Sequence, residues 1–291
     1  MTITENKIAY ENVIRGKTFD EERALYHLQD TLVDGCAFAG PADGESALKE
    51  SRRVTVHDCR FSLRYPLWHT HTFRLEGCTM DEFTRAALWY STDGSIEGCV
   101  LGGIKCLREC EDIRLCACVV SSPEFGWRCR GVSLEDCDLT AQYCLFESRD
   151  LAIRALRMSG KYSFQYTENV TIEDAVLDTK DAFWHAKNVT VKNSVVKGEY
   201  LGWYSDGLTL IGCTISGTQP LCYCKNLKLI DCTMENTDLS FEYSDVEADI
   251  RGEMLSVKNP HSGHITADRF GEVILEDAVM ESTCVITARQ G

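Results

Sequence analysis

The chain has 291 residues, 16 of them cysteine, with 44% hydrophobic residues and a formal net charge of −15. That composition supports a sizeable core and excludes global disorder. Thirty Lys and Arg against 45 Asp and Glu argue against a sequence-independent hold on nucleic acid or an anionic membrane surface.

The opening stretch MTITENKIAYENV has no basic segment followed by an apolar run. No apolar run nears the roughly 20 residues of a membrane span, so a cytoplasmic location is expected. In that compartment the cysteines are expected to be reduced rather than paired in a disulfide framework.

From residue 12 the chain repeats. NVIRGKTF (12–19), TLVDGCAF (31–38), VTVHDCRF (54–61), FRLEGCTM (73–80), GSIEGCVL (94–101), IRLCACVV (113–120), VSLEDCDL (132–139), LAIRALRM (151–158), VTIEDAVL (170–177), VTVKNSVV (189–196), LTLIGCTI (208–215) and LKLIDCTM (227–234) fall into one column. From residue 54 every step is 19 residues except one of 21, and a four-residue insertion separates the second and third repeats. The register loosens after 246 and returns in VILEDAVM (273–280).

Positions in each repeat are numbered from 0 to 18. Position 2 is aliphatic in all twelve repeats, from Ile14 to Leu229. Position 7 is equally apolar. Positions 3 and 4 are mostly polar or Gly, as in His57-Asp58 and Lys192-Asn193, which reads as a bend between two short strands. Position 18 favours Asp, Asn and Gly (Asp30, Asp93, Asp112, Gly131, Asp150, Asn169, Asn188, Gly207, Asn226, Asp245), residues that tolerate a left-handed corner.

One such unit cannot bury its apolar face alone, but stacked units can. A 19-residue unit rich in Val, Ile and Thr fits no helical repeat. The pattern predicts an all-β fold, a single-stranded right-handed parallel β-helix of about fourteen repeats. It would form a rod about 65 Å long at the usual strand spacing. Cys36, Cys59, Cys78, Cys99, Cys118, Cys137, Cys213 and Cys232 all take position 5, where other repeats carry Lys17, Leu156, Ala175 and Ser194. A small interior column of stacked thiols is expected there, packing as small hydrophobes.

Positions 12–16 read as a second strand before the corner. Position 13 is mostly Leu or Phe, and position 16 mostly small. Position 14 reads Tyr26, Lys49, Trp68, Trp89, Arg108, Trp127, Phe146, Gln165, Trp184, Trp203, Cys222 and Phe241, so it holds all five tryptophans of the chain. Position 15 reads His27, Glu50, His69, Tyr90, Glu109, Arg128, Glu147, Tyr166, His185, Tyr204, Tyr223 and Glu242. Strict alternation would point the tryptophans inward. Lys49, Arg108 and Gln165 in the same column favour outward, because a buried unpaired charge is costly. The outward reading makes a ladder of flat rings suited to sugar faces. Trp68, His69, Trp89, Tyr90, Arg108, Trp127, Arg128, Trp184, His185, Trp203 and Tyr204 are then candidate saccharide-binding residues. The plainer alternative is a stripe covered by a loop or by a second copy in a homodimer.

Glycoside chemistry needs two carboxylates at set separations. Glu109 and Glu147 share position 15 two repeats apart, roughly 9.6 Å at the usual strand spacing, and are the catalytic candidates. Arg128 lies between them, and a surface charge ladder is the simpler reading. His69-x-His71 sets two imidazoles on one strand face, yet no Cys or His pair completes a zinc spacing. No metal and no cofactor is expected.

Several segments carry a resemblance. FDEERALYHLQDTLVDGCAF (19–38), SALKESRRVTVHDCRF (46–61), YPLWHTHTFRLEGCTM (65–80), DAFWHAKNVTVKNS (181–194), GEYLGWYSDGLTLIGCTI (198–215) and SVKNPHSGHITAD (256–268) resemble an uncharacterised bacterial family of unknown function. The resemblance spans almost the whole chain. It implies a single-stranded right-handed β-helix similar in outline to the pectin-lyase fold, and no activity. Some relatives carry the name hydrogenase, a chemistry that nothing in this sequence supports.

The expectation is one domain over 1–291, with regular repeats in 12–245 and irregular terminal repeats and a cap in 246–291. Its role is a non-catalytic binding or scaffold function through the aromatic ladder. The alternative is a carbohydrate-active enzyme, a polysaccharide lyase or glycoside hydrolase.

Overall fold

A computed structural model describes residues 10–289 of the chain. Fifteen strands, from Asn12–Arg15 to Val285–Ala288, stack along one face. Every pairing on that face is parallel. Ile96 sits on Leu75 below it and Leu115 above, so position 2 stacks on position 2, as the period requires. Past the bend, shorter strands such as Thr79–Met80, Val100–Leu101 and Val119–Ser121 stack as a second parallel face. The expected parallel β-helix is the architecture, with one strand more than the count of about fourteen.

The chain is all β among the described residues, apart from one 3-10 turn at Glu82–Thr84 that absorbs the single 21-residue step. No helix is long and apolar enough to cross a membrane. Positions 2 and 7 fill the interior, with Leu75, Val191, Leu210 and Ile215 fully buried. A fully buried Leu or Val contributes about 1.5–3 kcal/mol, and stacking repeats that gain along the rod. Beyond residue 245 the same face continues with uneven steps. Val246 pairs with Gly263, and His264 with Val285. Glu253–Lys258 and Arg269–Ile274 pair beside it as a separate two-stranded sheet.

The corners are columns of left-handed backbone. Position 4 has φ between 48° and 63° in all twelve repeats, from Gly16 to Asp231. Position 18 repeats this from Asp30 to Asn226, as its Asp, Asn and Gly content implies, but Asp245 does not adopt it. Side-chain amides bridge neighbouring repeats there, as in Asn169 Nδ2 to Asp150 Oδ1 at 2.9 Å. A third left-handed column was not legible. Position 15 has φ between 49° and 62° from His27 to Tyr223, although it holds Tyr, His, Glu and Arg.

The strand expected over positions 12–16 is therefore not a strand for most of the rod. Two-residue strands occur at Leu67–Trp68, Leu88–Trp89 and Leu107–Arg108. From Leu145 onward the segment is a stack of turns, with positions 13 and 15 both left-handed, as in Phe183 and His185. The inward reading of the tryptophans needed strand alternation, and these turns remove it.

Two interior columns stitch the corners together. Most left-handed residues at position 4 or 15 are followed by a cysteine, serine or threonine, and several of these bond across repeats. At position 5, the Cys78 N–H donates to Cys99 Sγ at 3.3 Å, and the Cys99 thiol donates to the Glu97 carbonyl. At position 16, the Cys129 N–H donates to Ser148 Oγ at 2.8 Å, and that hydroxyl donates to the Gly126 carbonyl at 2.6 Å. Fourteen of the 16 cysteines are buried, and all are free thiols. They pack as small apolar groups, as expected, and also hydrogen-bond the backbone.

Candidate functional site: the aromatic corner

Turns set the geometry of this corner. With positions 13 and 15 left-handed, position 13 points into the core and positions 14 and 15 point away from it. Phe164, Phe183 and Leu221 are fully buried at position 13. All five tryptophans are half-buried at position 14, while Tyr90, Tyr166, His185 and Tyr204 are exposed at position 15. The outward reading is the closer one, although the indoles are wedged rather than free.

Position 14 has a local task. Trp184 Nε1 donates to the Tyr200 carbonyl at 2.6 Å, and Trp203 Nε1 to the Gln219 carbonyl at 2.7 Å, each sixteen residues ahead. Gln165 makes the same bond, Nε2 to the Asp181 carbonyl at 2.8 Å. Gln165 thus stands in for tryptophan as a donor to the next turn. The Nε1 atoms of Trp68, Trp89 and Trp127 are buried with no such partner.

The rings form stacks. Trp68 and Trp89 lie 5.3 Å apart at 14°, and Trp184 and Trp203 5.5 Å apart at 6°. At position 15, Tyr166, His185, Tyr204 and Tyr223 stack with centroids 4.9, 5.0 and 4.8 Å apart and planes within 14°. Tyr243 extends the row at 5.7 Å. In these stacks each ring covers the faces of its neighbours, so the surface offers ring edges, phenol hydroxyls and imidazole nitrogens. The expectation of flat faces open to sugars is corrected for this stretch.

Tyr243 also marks a shift of register. The last regular repeat holds one extra residue before its corner. Phe241 is consequently fully buried, in line with position 13, and Tyr243 follows Tyr223. Counting by nineteen places Phe241 at position 14 and Glu242 at position 15, and the packing corrects both.

Charges punctuate the corner between residues 49 and 147. Lys49 Nζ sits 3.8 Å from the Trp68 ring centroid, and Arg108 Cζ 5.7 Å from that of Trp89. Such contacts explain how cations share the tryptophan column without being buried unpaired. Glu147 accepts from Arg128 Nε at 2.7 Å, and Glu109 from Arg108 Nε at 3.3 Å. The neighbouring Glu109 carboxylate also pushes the Tyr90 phenol above its ordinary value. Both catalytic candidates are thus engaged with arginines, Glu147 on the open surface and Glu109 half-buried.

One acid here was missed by the sequence reading. Asp181, at position 11, is buried, and that burial pushes its carboxyl above the usual range, against the pull of Lys180. No sequence signal distinguishes it from the exposed acids of neighbouring repeats. His69 Nδ1 hydrogen-bonds Glu50 at 3.0 Å, whereas His71 Nδ1 bonds Thr92 Oγ1 at 2.8 Å, so the two imidazoles serve different neighbours. Among the described residues, no three His, Cys, Asp or Glu side chains gather to hold a metal ion.

Fold and corner define a class, a parallel β-solenoid with one aromatic edge. Within it, residues 12–287 match the family described as "Protein of unknown function (DUF3737)", and the chain belongs to that family. No curated protein matches the chain.

Solved structures are similar only distantly. One is a tailspike protein mutant of Escherichia coli bacteriophage HK620 in complex with a hexasaccharide. It is 10% identical with a TM-score of 0.39, over 95% of this chain and 65% of that one. This chain thus spans under two thirds of the tailspike. PfbA, a surface adhesin of Streptococcus pneumoniae, is 10% identical with a TM-score of 0.35, over 91% and 75% of the two chains. The A-module of the mannuronan C-5 epimerase AlgE4 of Azotobacter vinelandii is 10% identical with a TM-score of 0.33, over 96% and 89%.

Proposed function

We propose that the protein is a non-catalytic binding scaffold whose docking face is the aromatic corner, and that its ligand is an extended saccharide. The observation that carries this is the row Tyr166, His185, Tyr204 and Tyr223. It repeats a hydrogen-bonding ring edge every 4.8–5.0 Å along the rod. A polymer laid along the axis meets the same group at each step. Many weak edge contacts then add, as in multivalent binding. Trp68, His69, Trp89, Tyr90, Trp127, Trp184 and Trp203 flank or continue the strip, with Arg108 and Arg128 as its cations. A scaffold is favoured over a lyase or hydrolase because Glu109 and Glu147 are each ion-paired, and a general acid needs an uncommitted carboxyl.

A glycan array with the whole chain, followed by reducing-end assays on each hit, tests this reading. Binding without release of reducing ends supports it. Tyr204→Ala with His185→Ala should weaken a hit about tenfold, the loss of one good contact of about 1.4 kcal/mol. Release of new ends from a bound glycan would favour the enzyme. Sedimentation that shows a dimer broken by the same substitutions would assign the strip to a second copy instead.

A further inference from the structure

The corner changes character near its N-terminal third. In the position 11 column, Tyr65 and Lys105 are separated by Ala86, the smallest side chain in that stretch. The gap is a depression of about 400 Å3 lined by Tyr65, Arg85, Trp89, Ile104, Lys105 and Arg108. That volume falls within the range of small-ligand sites. Trp89 ends its stack here. The next residue in its column is Arg108, not a ring; Tyr90 stacks on the indole at 5.4 Å and 18°, Arg108 sits over it at 5.7 Å, and Trp89 borders the depression. Tyr65 is inclined to the indole at 55°, with centroids 6.1 Å apart.

Three cations line this depression in a chain of net charge −15. Lys105 pairs with Glu124 at 3.5 Å and Arg108 with Glu109 at 3.3 Å, and neither carboxylate lines the depression. Arg85 forms no ion pair with any described residue. A larger depression of about 550 Å3 on the strand face differs in this respect. Its three arginines, Arg53, Arg74 and Arg114, share its lining with three aspartates, Asp30, Asp93 and Asp112.

We propose that the Ala86 depression is a subsite for one anionic sugar residue. Its ring lies against Trp89 and Tyr65, and its carboxylate or sulfate lies among Arg85, Lys105 and Arg108. The inference rests on the saccharide reading above and adds the charge of the ligand. The chemistry is local. A planar guanidinium recognises either oxyanion through paired hydrogen bonds, and Tyr65, Ile104 and the border of Trp89 supply apolar contact. The stacked row Tyr166, His185, Tyr204 and Tyr223 farther along the rod contains no arginine.

The experiment titrates tryptophan emission of the full chain with three oligosaccharides of equal length, one neutral, one built from uronates and one sulfated. The acidic oligomers should bind about tenfold or more tightly than the neutral one, the scale of one charge-assisted hydrogen bond. The better of the two acidic ligands names the oxyanion. Arg85→Gln and Lys105→Gln should each remove most of that preference and leave neutral binding unchanged. Both residues project from the corner, and circular dichroism checks that the variants fold. Equal affinity for acidic and neutral oligomers overturns the anionic subsite and leaves the saccharide reading standing, as does a preference that survives the double substitution. Failure of every saccharide to bind overturns the saccharide reading, and this subsite with it.

Discussion

At the scale of single residues, the cysteines are the plainest surprise. Their column was legible as small and apolar, because Ala175 and Ser194 share it. What size could not reveal is the hydrogen bonding. Ser194 makes the link that the thiols make, accepting from the Ala175 N–H at 3.0 Å and donating to the Lys192 carbonyl. A left-handed corner takes backbone groups out of the ladder, and a buried unpaired N–H costs about 1–3 kcal/mol. The side chain after the corner supplies the acceptor. Cys99→Ser should therefore stay close to wild type in a urea unfolding midpoint. Cys99→Val keeps the volume but orphans the Cys78 N–H, and should lose about 1–2 kcal/mol more. Equal midpoints for the two variants would show that volume alone matters in the column.

At the scale of the repeated element, legibility followed the chemistry of each corner. Positions 4 and 18 were readable because Gly, Asn and Asp favour left-handed backbone. Position 15 was not, because Tyr, His, Glu and Arg carry no such signal, and burial of the neighbouring positions 13 and 16 decides the conformation there. The same limit explains Phe241 and Tyr243. Counting by nineteen cannot see one inserted residue that the next strand absorbs, whereas packing can, since a phenylalanine fits the core and a glutamate does not. The ring stacks were invisible for a related reason. Sequence gives ring identity, and only the turn gives ring orientation. Corner chemistry also makes a separable prediction at Gly98, which has φ 59° and open space where a Cβ would project. Gly98→Asn should be near neutral, because Asn193 holds the same corner in another repeat. Gly98→Val should cost about 1–2 kcal/mol from left-handed strain alone. Thermal or urea unfolding of the pair measures it, and a valine variant as stable as the asparagine one would deny that the corner constrains the residue.

At the scale of the whole rod, each repeat touches only its neighbours, so the interior columns act as one continuous seam. Fourteen buried thiols in and beside that seam make the interior sensitive to alkali. Burial pushes Cys224 up to about 11 and Cys222 to about 12, and burial alone lifts Cys144 above its ordinary 9.0. The folded chain therefore keeps protons that the unfolded chain releases above the ordinary thiol value. Stability from these groups is fully present below about pH 9 and is lost as pH rises through the folded values. Urea midpoints should fall steadily between about pH 9 and pH 11, and the slope counts the thiols involved. Tyrosines and surface ion pairs also respond in this range, so the informative comparison is Cys144→Ala with Cys224→Ala against wild type. The double variant should release about two fewer protons on unfolding at pH 10.5. A native thiol titration at pH 8 should meanwhile find only Cys116 and Cys284 reactive, because they alone are partly exposed. Rapid labelling of many thiols, or an unchanged proton count in the double variant, would mean that water reaches the seam and that the thiols do not hold the corners closed.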